Sequence, residues 1–299
     1  MQAAPARPAG ATCDRACLTG ALDAYVEALV AHDPSRLAGS VRTFTENGQR
    51  LELGDGLWHT VTGKGRYALH LADTERGQAV LMGTVREADV PTIFVLRLKV
   101  EDRRPTEVET LVIRNQKAAE SLEATKEPRS ALLDAVPAAE RMSREALVTV
   151  ANKYFSGIER NDGKGDYPLQ PACARLENGT FTAGGPAKST CLEQFRSGVF
   201  HYVTRIRDRR FVLVDVEHGL AVAFAFFDNA SGDARNGTLA DGRKVVSGPS
   251  VPWTWQIAEV FKIERGEIGA VESVLHPVPY GMGSGWSTWE EAMSSRPRW

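Results

Sequence analysis

The order of hydrophobic patterns in this chain repeats, and the repeat limits its possible folds more than any single motif does. Leu98-Lys99-Val100-Glu101, a tight polar turn and Val108-Glu109-Thr110-Leu111-Val112 have a downstream match: Phe261-Lys262-Ile263-Glu264, a turn and Val271-Glu272-Ser273-Val274-Leu275. Upstream, Asp73 before the strand at Gln78 aligns with Asp208 before the strand at Phe211. Each half opens with an amphipathic helix. The first carries Leu18, Leu22, Tyr25, Val26 and Leu29 on one side, and the second carries Leu147, Val150, Tyr154, Phe155 and Ile158. Low identity with a preserved order of elements is the mark of a duplicated unit. A length of 299 residues agrees, because single cores stop growing below that size.

Between the repeats the signals are local. Asp33-Pro34 stops the first helix, and Asn47-Gly48 places a turn inside the strand-like stretch 41–53. Strands are expected over 78–86, 92–100 and 107–114 in the first half. In the second they are expected over 211–217, 220–227, 254–263 and 267–275, after a helix capped by Ser143. Strand runs that follow helices predict α+β architecture: two tandem domains, each with N-terminal helices on a curved antiparallel sheet. The expected layout is a disordered lead-in over 1–12, a first domain over 13–116, a linker over 117–140 and a second domain over 141–299. The second domain carries a polar insertion at 229–252 and a glycine-rich tail.

Composition removes several classes of function. A net charge of -2 without a long Lys/Arg run argues against a nucleic-acid partner, and no stretch approaches eighteen apolar residues, so no membrane helix is expected. Neither metal-ligand spacing nor a dinucleotide or phosphate loop is present, so no metal and no cofactor is expected. Four cysteines form two local pairs, Cys13 with Cys17 and Cys173 with Cys191. Three connectivities, or four reduced thiols, are open, and local closure is the simplest.

Several segments resemble those of a family of secreted proteins carrying two SnoaL-like, nuclear-transport-factor-like repeats. They are Cys13-Asp14-Arg15-Ala16-Cys17-Leu18, Phe44-Thr45-Glu46-Asn47-Gly48 and Gly54-Asp55-Gly56-Leu57-Trp58 in the first half. In the second half they are the strand from Trp253 to Phe261 and the tail from Leu275 to Trp286. The resemblance implies the cone fold and export to a secreted or periplasmic location. It implies no reaction, since one fold hosts many activities.

The candidate chemistry is read from strand alternation. On the strand from Thr254 one face carries Trp255, Ile257, Glu259, Phe261 and Ile263, which sets a carboxylate among apolar side chains where burial raises its pKa. Glu272 and His276 share a face of the last strand, and Asp215 ends an earlier one. Glu259, His276 and Asp215 are therefore the expected catalytic group. Trp253, Trp255, Tyr280, Trp286, His201, Tyr202 and Glu272 are expected to bind ligand. The expected activity is a cofactor-free lyase or isomerase acting on a small organic molecule in the second domain. The alternatives are a small-molecule or carbohydrate binding module, or a structural protein that dimerises through an exposed sheet face of the first domain.

Overall fold

A computed structural model describes residues 13–37 and 39–299. The lead-in expected over 1–12 lies outside the described residues. Helix α1 (Arg15–Val30) begins where the Asp14 carboxylate accepts the Cys17 N–H at 2.9 Å, and it buries Leu18, Leu22, Tyr25, Val26 and Leu29. Strands β1 (Thr43–Glu46) and β2 (Gln49–Arg50) follow as a hairpin. Its turn, Asn47-Gly48, has φ values of 49° and 77°, the left-handed pair that this dipeptide favours. Then come β3 (Val61–Asp73), β4 (Gln78–Glu87), β5 (Val90–Glu101) and β6 (Arg104–Ile113). Helices α2 (Gln116–Ala124) and α3 (Ser130–Leu133) connect the halves.

The second half repeats this order. Helix α4 (Arg144–Arg160) starts at the Ser143 cap and stops at Asn161, whose φ of 40° ends the helix. Strands β7 (Leu169–Glu177) and β8 (Thr180–Ala183), helix α5 (Cys191–Ser197), β9 (Arg205–Asp215) and β10 (Leu220–Asn229) follow. A small hairpin, β11 (Asn236–Thr238) with β12 (Lys244–Val246), precedes β13 (Trp253–Glu264), β14 (Glu267–Val278) and α6 (Trp289–Ala292). Two regions without a strand expected from sequence, 61–73 and 169–183, are therefore strands. The glycines and charges of 61–66 hide the start of β3. The prolines and cysteine around 169–183 hide β7 and β8.

The two six-stranded sheets have the same order, β2-β1-β6-β5-β4-β3 and β8-β7-β14-β13-β10-β9. Both are mixed rather than wholly antiparallel, because β1 runs parallel to β6 and β7 parallel to β14. In each half the edge hairpin and the last strand are not joined by a turn, so nothing forces their directions to alternate.

Each sheet packs one face on its own helix and the other on the partner sheet. Leu18, Tyr25, Phe44 and Leu96 belong to the first helix-facing core, and Leu147, Phe155, Phe211 and Phe261 to the second. A third core lies between the sheets. Leu69, Val80, Met82 and Val95 of the first half meet Leu213, Val222, Phe224 and Val260 of the second, and Ala119, Leu122 and Leu132 of the connection join them. The sheet face expected to be free for dimerisation is thus covered by the other half of the same chain. Its side chains are apolar at every second position, and burying them is favourable.

Polar ties reinforce this union reciprocally. Arg15, the first residue of α1, bonds Asp215 at the end of β9 at 2.7 Å. Arg144, the first residue of α4, bonds Asp73 at the end of β3 at 2.6 Å. Strand register agrees: Asp73 faces Gln78 on β4 as Asp215 faces Leu220 on β10. The counterpart of Asp73 is therefore Asp215, not Asp208 as aligned from sequence. A β-bulge in β9 and the similar flanking residues obscure the true frame. Two disulfides close locally, Cys13–Cys17 at the cap of α1 and Cys173–Cys191 between β7 and α5.

Because one core joins both halves, chemical denaturation is expected to show a single transition. Arg144→Met leaves the buried Asp73 carboxylate with only the Arg76 and Val214 N–H donors and is expected to cost about 3 kcal/mol by the same denaturation.

Candidate functional site

Between the second-half sheet and α4 lies a cavity of about 140 Å³. Its apolar wall includes Ile158, Phe200, Val203, Phe227, Ile257 and Leu275, with the rings of Tyr202 and Trp255. Its polar wall is Tyr154, Arg175, Glu177 and Glu259.

Glu259 sits there because β13 alternates. Ile257, Glu259 and Phe261 point toward α4, while Ala258 and Val260 enter the core between the sheets. Only 2% of Glu259 is exposed, and its Oε2 has no hydrogen-bond partner. Burial, with the Glu177 carboxylate nearby, pushes its pKa up to about 8 against the opposing pull of Arg175. Near neutral pH the carboxyl therefore holds its proton.

Arg175 is the organising cation. It donates from Nη1 to the Tyr154 hydroxyl at 3.0 Å, from Nη2 to Gln194 Oε1 at 2.7 Å and from Nε to Thr182 Oγ1 at 3.0 Å. It also pairs with Glu177 Oε1 at 3.0 Å. Gln194 is oriented in turn, because its amide nitrogen donates to the Thr182 carbonyl at 2.6 Å. Cys173 lies two residues before Arg175 and is tied to Cys191 at the start of α5, the helix that carries Gln194.

The first half shows a filled version of the same interior. Register equates Phe44 with Arg175, Glu46 with Glu177 and Leu96 with Glu259, and Tyr25 and Tyr154 stand at the same step of their helices. Phe44 and Leu96 are plain core residues there. Trp58 fills the space beside Tyr25, with ring centroids 5.4 Å apart, and its Nε1 donates to the Tyr25 hydroxyl at 3.2 Å. Glu46 accepts the Leu57 N–H at 2.8 Å. The duplicate has a filled interior, and the second half has a polar cavity.

The structure places the sequence-derived candidates in three groups. Glu259, Trp255 and Tyr202 line the cavity, Trp253 stacks edge-on against Trp255 with centroids 4.1 Å apart, and His201 adjoins Tyr202. His201 Nε2 lies 3.1 Å from the Arg235 carbonyl and 3.2 Å from Ser247 Oγ, so it seats the segment that carries β11 and β12. Glu272 and His276 project from the opposite face of the sheet. Glu272 accepts from the Tyr67 hydroxyl and from Arg129 at 3.4 Å, between the two halves. His276 pairs with Gln256 at 3.0 Å, and burial together with Arg114 pushes its pKa down to about 4. Asp215 lies roughly 13 Å along β9 from Phe211, the residue across β10 from Glu259, and is held by Arg15 and His218. Glu259, His276 and Asp215 therefore do not share one site. Strand alternation sends His276 to the other face, and register carries Asp215 to the far end of its strand.

The tail residues lie elsewhere. Trp286 donates to Thr45 Oγ1 at 2.8 Å beneath the Arg97 guanidinium and lines a cleft between the halves, and Tyr280 is 47% exposed. Asp215, Glu217 and His218 form the one cluster of potential metal ligands among the described residues. Its two carboxylates already bind the Arg15 guanidinium at 2.7 and 3.0 Å, an arrangement that does not suit a dication.

Sequence reasoning missed Arg175, Glu177 and Tyr154. A signal for the first two existed: Glu46-Asn47-Gly48 recurs as Glu177-Asn178-Gly179. In both, the Asn side chain bonds the last strand, at Val112 in one half and Leu275 in the other. Aligning on that turn exposes arginine in place of Phe44.

Residues 140–275, somewhat less than half the chain, match the family model of a domain of unknown function (DUF8021). No curated protein matches the chain. Similar solved structures include AclR from Streptomyces galilaeus, with 9% identity over 45% of this chain and 91% of that one and a TM-score of 0.32. AusH from Aspergillus nidulans shows 14% identity over 45% and 86%, with a TM-score of 0.29. A de novo designed protein with a curved β-sheet shows 17% identity over 46% and 89%, with a TM-score of 0.27. Likenesses this remote carry no chemistry, and the site is read from its own residues.

Glu259 and His276 act on opposite limbs of the stability curve. Between pH 4.5 and about 8 the folded chain keeps the Glu259 proton that the unfolded chain has lost, so stability falls with rising pH by about 1.4 kcal/mol per unit at most. Glu259→Gln is expected to remove the part of that slope Glu259 contributes, and its gain in melting temperature should grow from pH 5 to pH 8. His276 is neutral when folded, whereas its unfolded form charges below pH 6.5, so stability falls as pH drops toward 4. His276→Gln should flatten that acid limb in the same melting series.

Proposed function

We propose that the chain is a proton-transfer enzyme, a lyase or isomerase acting without a cofactor on a small organic molecule in the second-half cavity. One observation carries this reading: a buried carboxyl with an unpartnered oxygen, which burial keeps as the acid near neutral pH, stands in a cavity whose counterpart in the first half is filled with apolar side chains. An unpaired buried polar atom costs about 1–3 kcal/mol. Keeping one where the duplicate position carries leucine favours a catalytic use over a structural one.

In this reading Glu259 donates its proton to a carbonyl or departing hydroxyl oxygen. Glu177, charge-paired with Arg175, faces the same cavity and takes the proton from carbon. Two carboxyl groups in unlike surroundings can thereby serve as acid and base together. Arg175 offsets the negative charge that develops on the substrate, held in place by Tyr154, Thr182 and Gln194 so that it need not reorganise. The identical strand order behind a helix in each half supports two SnoaL-like units, with cones closed over their helix-facing cores. Paired disulfides support an oxidising, secreted or periplasmic setting.

A panel of small carbonyl compounds in D2O, followed by NMR for exchange of α-protons or loss of water, tests the reading. Wild-type turnover is expected to fall about tenfold per pH unit above pH 8 as Glu259 ionises. Glu259→Gln is expected to lower it by about 10²–10⁴-fold. Turnover of the Gln variant within twofold of wild type would defeat the assignment. Binding without turnover across the panel would leave the cavity as a non-catalytic small-molecule site.

A further inference from the structure

The same cavity also restricts what can enter it, by size, by charge and by hydrogen bonding. This inference rests on the reading that the second-half cavity is the functional site, and it concerns which molecules occupy it.

Size comes first. About 140 Å³ is close to the ~150 Å³ apolar cavity that accommodates benzene, which corresponds to a single six-membered ring. The wall on the Tyr202 side is fixed from outside. Gly248 lies so near Tyr202 that a side chain at that position would overlap the Tyr202 Cβ. His201, one residue earlier, is likewise covered by Gly237. The insertion between β10 and β13 therefore braces this wall against the swing that a larger ring would need.

Charge comes second. The ionisable groups around Glu259 are Arg175 and Glu177 from β7, Tyr154 from α4 and Tyr202 from the segment before β9. Arg175 and Glu177 neutralise one another at 3.0 Å, and the arginine is further engaged by Tyr154, Thr182 and Gln194. With Glu259 protonated, the cavity offers no uncompensated charge. An ionised ligand would be desolvated without a counter-ion, which is strongly unfavourable. Glu259 Oε2 is buried without a partner, and in its acid form that carboxyl can donate.

We propose that the cavity is selective for an uncharged, single-ring molecule carrying one hydrogen-bond acceptor, of the aryl or cyclic ketone class, with its oxygen seated on the Glu259 carboxyl. Phe200, Trp255, Ile257 and Leu275 surround the ring, and the acceptor replaces the missing partner of Oε2.

Four probes separate the three criteria by calorimetry at pH 6.5: acetophenone, toluene without an acceptor, benzoate with a charge, and 2-acetylnaphthalene with a second ring. Acetophenone is expected to bind with a Kd of about 1 mM or tighter, a modest efficiency for nine heavy atoms. Toluene should bind at least tenfold more weakly, and benzoate and 2-acetylnaphthalene should show no heat. Glu259→Leu should reduce acetophenone to the toluene level. Glu259→Gln, whose amide donates at any pH, should keep acetophenone binding and lose the decline that wild type shows above about pH 8. Equal affinity for benzoate and acetophenone, or acetophenone binding unchanged in Glu259→Leu, would overturn the proposal. Selective binding without exchange of the acetophenone methyl protons in D2O would defeat the catalytic reading alone. Exchange across all sizes and charges would defeat the selectivity alone.

Discussion

The union of the two sheets depends on burying their outward faces against each other. Leu69, Val80, Met82 and Val95 would be exposed in an isolated first half, as would Val222, Phe224 and Val260 in an isolated second half. Around this apolar contact the reciprocal pairs Arg15–Asp215 and Arg144–Asp73 set the angle and register. Each links the first turn of one half's helix to the end of the other half's strand. A buried pair is weak evidence for added stability, but a mismatched one is costly, so these pairs disfavour any other docking. The same contact holds Glu109, bonded by Arg97 at 2.9 Å and Arg210 at 2.5 Å, and its counterpart Glu272, bonded by Tyr67.

With the outward faces committed to each other, the helix-facing interiors are where the two halves have diverged most. Trp58, Phe44 and Leu96 fill the first interior. Arg175, Glu177 and Glu259 make the second polar and leave room in it. The first half also buttresses the second. It supplies the surface that fixes the second sheet, and Trp286 of the tail docks on Thr45 and Arg97 to fasten the C-terminal segment across both halves.

Much of the architecture was legible because long amphipathic helices and alternating strands carry their own period. Helix α1, helix α4 and strands β4, β5, β6, β10, β13 and β14 follow from it. Glu259 was also legible, since a carboxylate at the same parity as Ile257 and Phe261 must share their buried side. His276 was misgrouped with it because parity is counted strand by strand. Only the pairing of Gln256 with His276 shows that the two residues project from the other face. Strands β3 and β7 were obscured by Gly63, Gly65 and Pro171, residues that weaken strand propensity but are tolerated near sheet edges.

The sequence by itself determined that the chain is a duplicated α+β protein, with one acid buried among apolar neighbours. Those properties follow from local periodicity and from repetition, and neither needs a partner to be visible. Which faces meet, which acid keeps its proton and where space is left were decided only by the tertiary structure. Each depends on side chains far apart in sequence: Glu259 is set by Arg175 and Glu177, and the cavity opens where Arg175 and Glu259 replace Phe44 and Leu96 of the first half. Electrostatics and packing act through space, and strand register joins residues that the one-dimensional pattern leaves unrelated.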